Sequence, residues 1–158
     1  DKNQELVPSS WDNRYILNLA AGKKFKGNIE LGMKFRYSGG APYTPFDLAT
    51  TSNRQVWDIS QQGYLDYNNV NSLRLGDIHT LDVRVDKKWY FKSWSLNAYI
   101  DIQNIYNNKV KLRSDVSNNP DVGELVYDSQ GDPNKYNLYE IPSESGTLLP
   151  SIGLLIEF

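Results

Sequence analysis

From Asn28 to Ser38, apolar and polar side chains alternate without a break. Ile29, Leu31, Met33, Phe35 and Tyr37 take the odd positions, and Glu30, Gly32, Lys34, Arg36 and Ser38 the even ones. Successive side chains of a β-strand point to opposite faces, so this run reads as a strand with one apolar and one polar side. A helix would scatter the same residues around its circumference. Asn13 to Gly22 repeats the plan more weakly, with Tyr15, Leu17, Leu19 and Ala21 against Arg14, Ile16, Asn18 and Ala20. The link Lys23-Lys24-Phe25-Lys26-Gly27 makes these two runs a hairpin. A second hairpin sets Leu81, Val83 and Val85 against Thr80, Asp82, Arg84 and Asp86, then Leu96, Ala98, Ile100 and Ile102 against Asn97, Tyr99, Asp101 and Gln103. Its strands are Thr80 to Lys88 and Ser95 to Asn104, and its link, Trp89-Tyr90-Phe91-Lys92-Ser93-Trp94, is more aromatic than a water-exposed turn usually is. Leu148 to Phe158 adds a fifth strand, with Ile152, Leu154, Ile156 and Phe158 on one face. The fold expected is all-β, an antiparallel meander of about five long strands.

Strands of about ten residues exceed the five to six usual in soluble sheets and match what a tilted strand needs to cross a bilayer. The connections alternate in length: short at Lys23 to Gly27 and Trp89 to Trp94, long at Gly39 to His79 and Ile105 to Thr147. Outer-membrane barrels have short periplasmic turns and long extracellular loops, so the meander is expected to be the closing part of a transmembrane β-barrel. The long segments are rich in Asn, Asp, Ser, Gly and Pro, with turns expected at Gly39-Gly40-Ala41-Pro42 and Gly131-Asp132-Pro133-Asn134. Phe25, Trp89, Phe91, Trp94 and Phe158 would then form an inner aromatic girdle, and Trp11, Tyr15, Tyr37 and Tyr106 an outer one. A mean hydropathy of -0.59 does not oppose this, because barrel strands are apolar only at alternate positions. The same alternation also suits a soluble β-sandwich binding module, whose apolar faces would form a core between two sheets.

Lys+Arg 17 against Asp+Glu 19 leaves no basic excess for nucleic acid. Cys 0 excludes disulfides, thiolate metal sites and a cysteine nucleophile. The lone His79 lies where a long segment meets a strand and reads better as a surface residue than as a metal ligand. Asp115, Asp121, Asp128 and Asp132 fit no EF-hand spacing and read as turn formers. No catalytic constellation, metal site or cofactor site is expected, and the chain does not read as an enzyme. The start Asp1-Lys2-Asn3-Gln4-Glu5 has no initiator Met and no charged-then-apolar leader, so the chain is expected to be cut from a longer one.

Several segments resemble the C-terminal β-barrel of a TonB-dependent outer-membrane receptor. Trp11-Asp12-Asn13-Arg14-Tyr15 resembles the start of a late strand, and Tyr37-Ser38-Gly39-Gly40-Ala41-Pro42-Tyr43-Thr44-Pro45 the strand exit and loop start after it. Leu81-Asp82-Val83-Arg84-Val85-Asp86-Lys87-Lys88 and Ile100-Asp101-Ile102-Gln103-Asn104-Ile105-Tyr106-Asn107 resemble the penultimate hairpin. The end, with Gly153, Ile156 and Phe158, is similar to the signal read by the outer-membrane assembly machinery, although Ile152 replaces the polar residue usual before that glycine.

The resemblance implies a barrel of about 22 strands filled by a plug. Residues 1–158 would be its last five strands, without the plug. It implies active nutrient transport in the outer membrane of a Gram-negative bacterium. The partners it implies are outer-membrane lipid, the remainder of the barrel and plug, the TonB complex through the missing plug, and the assembly machinery. Another outer-membrane barrel, a porin or a barrel enzyme, would carry the same terminal signal. Glu30, Lys34, Arg36, Asp82, Arg84, Asp86 and Asp101 are expected to face the lumen. There they would contact plug or substrate, or form solvated cross-strand ion pairs such as Arg84 with Asp101; the second account is preferred. In the outer loops Arg54, Trp57, Tyr64 and Tyr67 combine a cation with stacking surface suited to sugars, peptides or metal chelates, while packing of the loops on one another explains them equally well.

Overall fold

The computed structural model describes residues 6–158, which divide into two compact units. One holds residues 14–39, 77–110 and 146–158 and is built on a single five-stranded sheet; the other gathers 6–13, 40–76 and 111–145.

The sheet consists of β1 (Ile16–Phe25), β2 (Ile29–Ser38), β3 (Ile78–Tyr90), β4 (Ser95–Gln103) and β5 (Leu149–Glu157). They lie side by side in chain order, each antiparallel to the next, so the architecture is the expected meander. These strands form an open sheet with β1 and β5 as its two edges. Sheet register decides which residues share a face, because a slip by one residue would invert a strand. No such slip occurs. Ala21 stands opposite Met33, Met33 opposite Val83, Val83 opposite Ile102 and Ile102 opposite Pro150. On the other face Gly22, Gly32, Arg84, Asp101 and Ser151 form a row in the same way.

The turns are tighter than the sequence suggests. Lys23, Lys24 and Phe25 belong to β1, since Lys23 pairs with Leu31 and Phe25 with Ile29. Only residues 26–28 turn, with Gly27 and Asn28 both at positive φ, where their two residue types are the ones most readily accommodated. Likewise Trp89 and Tyr90 extend β3, and the second turn is closed by the Phe91 N–H donating to the Trp94 carbonyl at 2.9 Å. The Phe91 and Trp94 rings stack there, 4.1 Å apart.

The long connections are not plain loops. They contain the helices Leu48–Thr51 and Arg54–Ser60 and a three-stranded sheet of Asp115–Ser117, Leu138–Ile141 and Leu125–Tyr127. Trp57, Val116 and Leu138 form a core against which Phe46, Leu48, Tyr127 and Tyr136 pack. Composition favours a loop here because polar turn residues outnumber the few buried ones. The expected turn at Gly39 to Pro42 is instead extended, running into the strand Pro42–Tyr43 that pairs with Leu73–Arg74. A Cβ on Gly40 would fall 1.8 Å from the Leu75 carbonyl oxygen, so glycine permits this close pairing. The turn around Gly131 is present, with Gln130 and Gly131 at positive φ.

Leu138 is 0% exposed and sits on the central strand of the small sheet. Leu138→Ala is expected to cost about 2–5 kcal/mol locally. Hydrogen exchange on the intact protein should show residues 111–145 losing protection while β1 to β5 keep theirs.

Candidate functional site

The five-stranded sheet has two chemically distinct faces. Leu17, Leu19, Ile29, Met33, Val85, Ile100, Leu154 and Ile156 all share the odd-numbered face of β2 and all are exposed. Ile152 on the same face is 79% exposed. Soluble monomers seldom leave so continuous an apolar surface uncovered.

Aromatic rings mark both ends of this face. At the end away from the short turns, Tyr15 and Tyr37 stack with centroids 5.6 Å apart, Tyr37 and His79 at 6.3 Å, and His79 and Tyr106 at 5.6 Å. The row is pinned by hydrogen bonds: the Tyr37 hydroxyl donates to Asp77 at 2.5 Å, and His79 Nδ1 lies 2.9 Å from the Tyr106 hydroxyl. At the turn end stand Phe25, Trp89, Phe91, Trp94 and Phe158. Trp11 belongs to the other unit. Register therefore gathers three of the four aromatics expected at one end, and adds His79, which the sequence offered only as a surface residue.

The opposite face carries Glu30, Lys34, Arg36, Asp82, Arg84, Asp86 and Asp101 together. Arg36 Nη2 meets Asp82 at 3.0 Å, and Asp82 also accepts from the Asn104 N–H at 3.0 Å. Arg84 and Asp101 are direct cross-strand neighbours, but the arginine uses Asp86 on its own strand, through Nε at 2.8 Å and Nη2 at 2.9 Å. Residues two apart share a face, which makes this bidentate contact possible without crossing strands. Lys24 pairs with Glu30 at 3.5 Å. Among the described residues, Lys34 and Asp101 take part in none of these ion pairs. The ion pairs on this face are solvent-screened and each is worth about 0–1 kcal/mol.

Gly153 has a structural task on this face. It pairs with Tyr99, whose ring lies over it so closely that a Cβ would be 2.3 Å away. Arg84 in turn lies 3.9 Å above the Tyr99 ring. Ile156 lies on the apolar face, and Phe158 is 99% exposed just past β5.

The four candidates in the loop unit are dispersed in role. Arg54 begins a helix and places its guanidinium 4.7 Å from the Tyr136 ring, whose hydroxyl donates to Asp58 at 3.1 Å. Trp57 is 5% exposed, so its ring is occupied by the core. Tyr64 joins the helix region through its backbone, and Tyr67 is 74% exposed. Among the described residues no ring contact unites these four. Of the contacts missed from sequence, Asp58 lies four residues after Arg54 in the same helix, whereas Tyr136 and Lys135 come from a distant segment and have no local pattern. Lys135 donates to the Tyr127 hydroxyl at 2.9 Å, which lowers the phenol below its usual pKa and raises the ammonium above its own. Asp128 and Asp132 each accept the backbone N–H two residues on, at 2.8 and 2.9 Å, as turn formers do.

Asp47 caps the first helix, accepting from the Thr50 N–H at 3.0 Å and hydroxyl at 2.6 Å, which holds its carboxyl below the usual range. A depressed carboxyl pKa stabilises the fold above the unfolded value near about 3.9, and the contribution is lost as pH falls through the folded value. Asp47→Ala is expected to cost about 0.5–2 kcal/mol at neutral pH. The difference from the parent should shrink in acid below about pH 4, read by hydrogen exchange of residues 46–60.

No protein-family model matches the sequence, and no curated protein and no solved structure matches it, so the ground for a functional reading is the chemistry of the two faces.

Proposed function

We propose that the chain supplies the last five strands of a TonB-dependent outer-membrane receptor, an importer of scarce nutrients. The observation that carries the membrane part of this reading is one exposed apolar face, continuous across all five strands and bounded by aromatic rings at both ends. His79 and Trp89, on that face of β3, are ten residues apart, about 33 Å along the strand. At the tilt usual for barrel strands this gives about 25 Å along the membrane normal, the height of a barrel's apolar band. Lipid then covers the face, and the ion-paired face lines the barrel interior. The exposed face weighs against the β-sandwich, which would bury it. The assignment to energy-coupled import, rather than to a porin or barrel enzyme, rests on the segment resemblance alone, because those barrels would carry the same terminal residues.

Fractionation of cells making the full-length protein tests the membrane part: it should sediment with the outer membrane and resist alkaline carbonate. Recovery in the soluble fraction would overturn the reading. Collapse of the proton gradient should then abolish nutrient accumulation; uptake that survives would place the protein among passive barrels. Phe158 is almost fully exposed and its removal takes nothing from the strand pairing, so deleting it should leave refolding into detergent unchanged. Assembly in cells should fall at least tenfold, since recognition rather than stability is lost. Equal losses in both assays would remove Phe158 from the assembly signal.

A further inference from the structure

The apolar face is interrupted at one end. Lys23 on β1 and Lys87 on β3 stand at odd positions, on the same side as Leu19, Met33 and Val85, close to the short turns. Neighbouring Lys24 and Lys88, on the polar face, are held by Glu30 and Glu157. Among the described residues, Lys23 and Lys87 have no carboxylate within ion-pair distance. Both ammonium groups are instead carried toward the rim. Lys23 Nζ lies 5.4 Å from the Phe25 ring, and Lys87 Nζ 5.6 Å from the Trp89 ring, each ring two residues nearer the turn. Lys87 also donates to the Gly27 carbonyl in the first turn itself.

Lysines on an apolar face that lean toward its edge, beside aromatic rings, are disposed as they would be where hydrocarbon gives way to phosphate. Their methylene stems can stay in the apolar layer while the ammonium reaches polar surroundings. Aromatic rings favour the same boundary. We propose that Lys23 and Lys87 bind headgroup phosphates of anionic phospholipids in the leaflet at the turn end, with Phe25 and Trp89 marking the edge of the acyl layer. The proposal rests on the outer-membrane reading and adds a lipid class and two residues to it. By register the two lysines are two strands and two residues apart, about 12 Å, so each takes its own lipid.

The test uses the full-length protein in phosphatidylcholine vesicles doped with brominated phosphatidylglycerol or brominated phosphatidylcholine, reading tryptophan quenching. Stronger quenching by the anionic lipid is expected. In a Lys23→Gln, Lys87→Gln double variant that preference should fall by fivefold or more, about fivefold being the share of each surface lysine. A Lys24→Gln, Lys88→Gln variant, which changes the polar face, should keep it. Equal quenching by both lipids in the parent, or a preference that survives in the first variant, overturns the lipid site and leaves the membrane reading standing. Quenching by neither lipid overturns both.

Discussion

Backbone pairing between neighbouring strands, in a register that nowhere slips by one residue, keeps the two chemistries of this sheet apart. Side chains alternate with a period of two, so each strand could present either set to either side. The row from Ala21 to Pro150 and the row from Gly22 to Ser151 exist only because four successive pairings agree. The tight turns contribute to this agreement. Residues 26–28 reverse the chain through two left-handed positions, and Gly and Asn are the residue types that adopt them most readily. One face then holds its charges close together, and the other gathers nothing but aliphatic and aromatic surface until Lys23 and Lys87.

The polar face does not hold the sheet together. Its ion pairs are exposed, and the bidentate Arg84–Asp86 contact is made within one strand. Their effect is organisational: Arg84 is held over the Tyr99 ring, and Tyr99 over Gly153, so a strand glycine that would otherwise leave bare backbone is covered by a neighbour's ring. Gly153 thus has a role in sheet packing whatever part it plays in assembly. The two roles make different demands, because packing needs only the absence of a Cβ, whereas recognition needs the residue in sequence with Phe158.

The strands of the sheet were legible in the sequence because alternation is local: Ile29 to Tyr37 declares a two-faced strand without reference to anything distant. Their ends were less so, since alternation fades at Lys23, Lys24 and Trp89, which read as part of the turns and are strand residues by pairing. The loop unit was illegible for a physical reason. Trp57, Val116 and Leu138 come from segments far apart in the chain, and no period links them. Its helices are too short for an amphipathic pattern, and local traces are confined to side chains such as Asp47, Asn53, Asp128 and Asp132, which accept backbone N–H bonds from the turns they open. Of the candidate site, alternation marked the polar side of each strand, from Glu30 to Asp101, but that these sides form one face depends on the register between strands. The choice of Asp86 over Asp101 by Arg84 depended on side-chain reach, which parity does not encode.

The two edges of the sheet constrain what completes it. In a meander every strand reverses the last, so with five strands β1 and β5 run in the same direction. In hydrocarbon, every backbone N–H and C=O along both edges needs a partner, and a barrel supplies it by closure. Direct closure of β5 on β1 would make a parallel seam, and five strands are too few to curl so far. A second copy in the same membrane orientation would meet the first with the same parallel mismatch. Antiparallel pairing at both edges instead requires an odd number of further strands. On the outer-membrane reading, then, the complement of this sheet is a different stretch of polypeptide whose first and last strands both run opposite to β1 and β5.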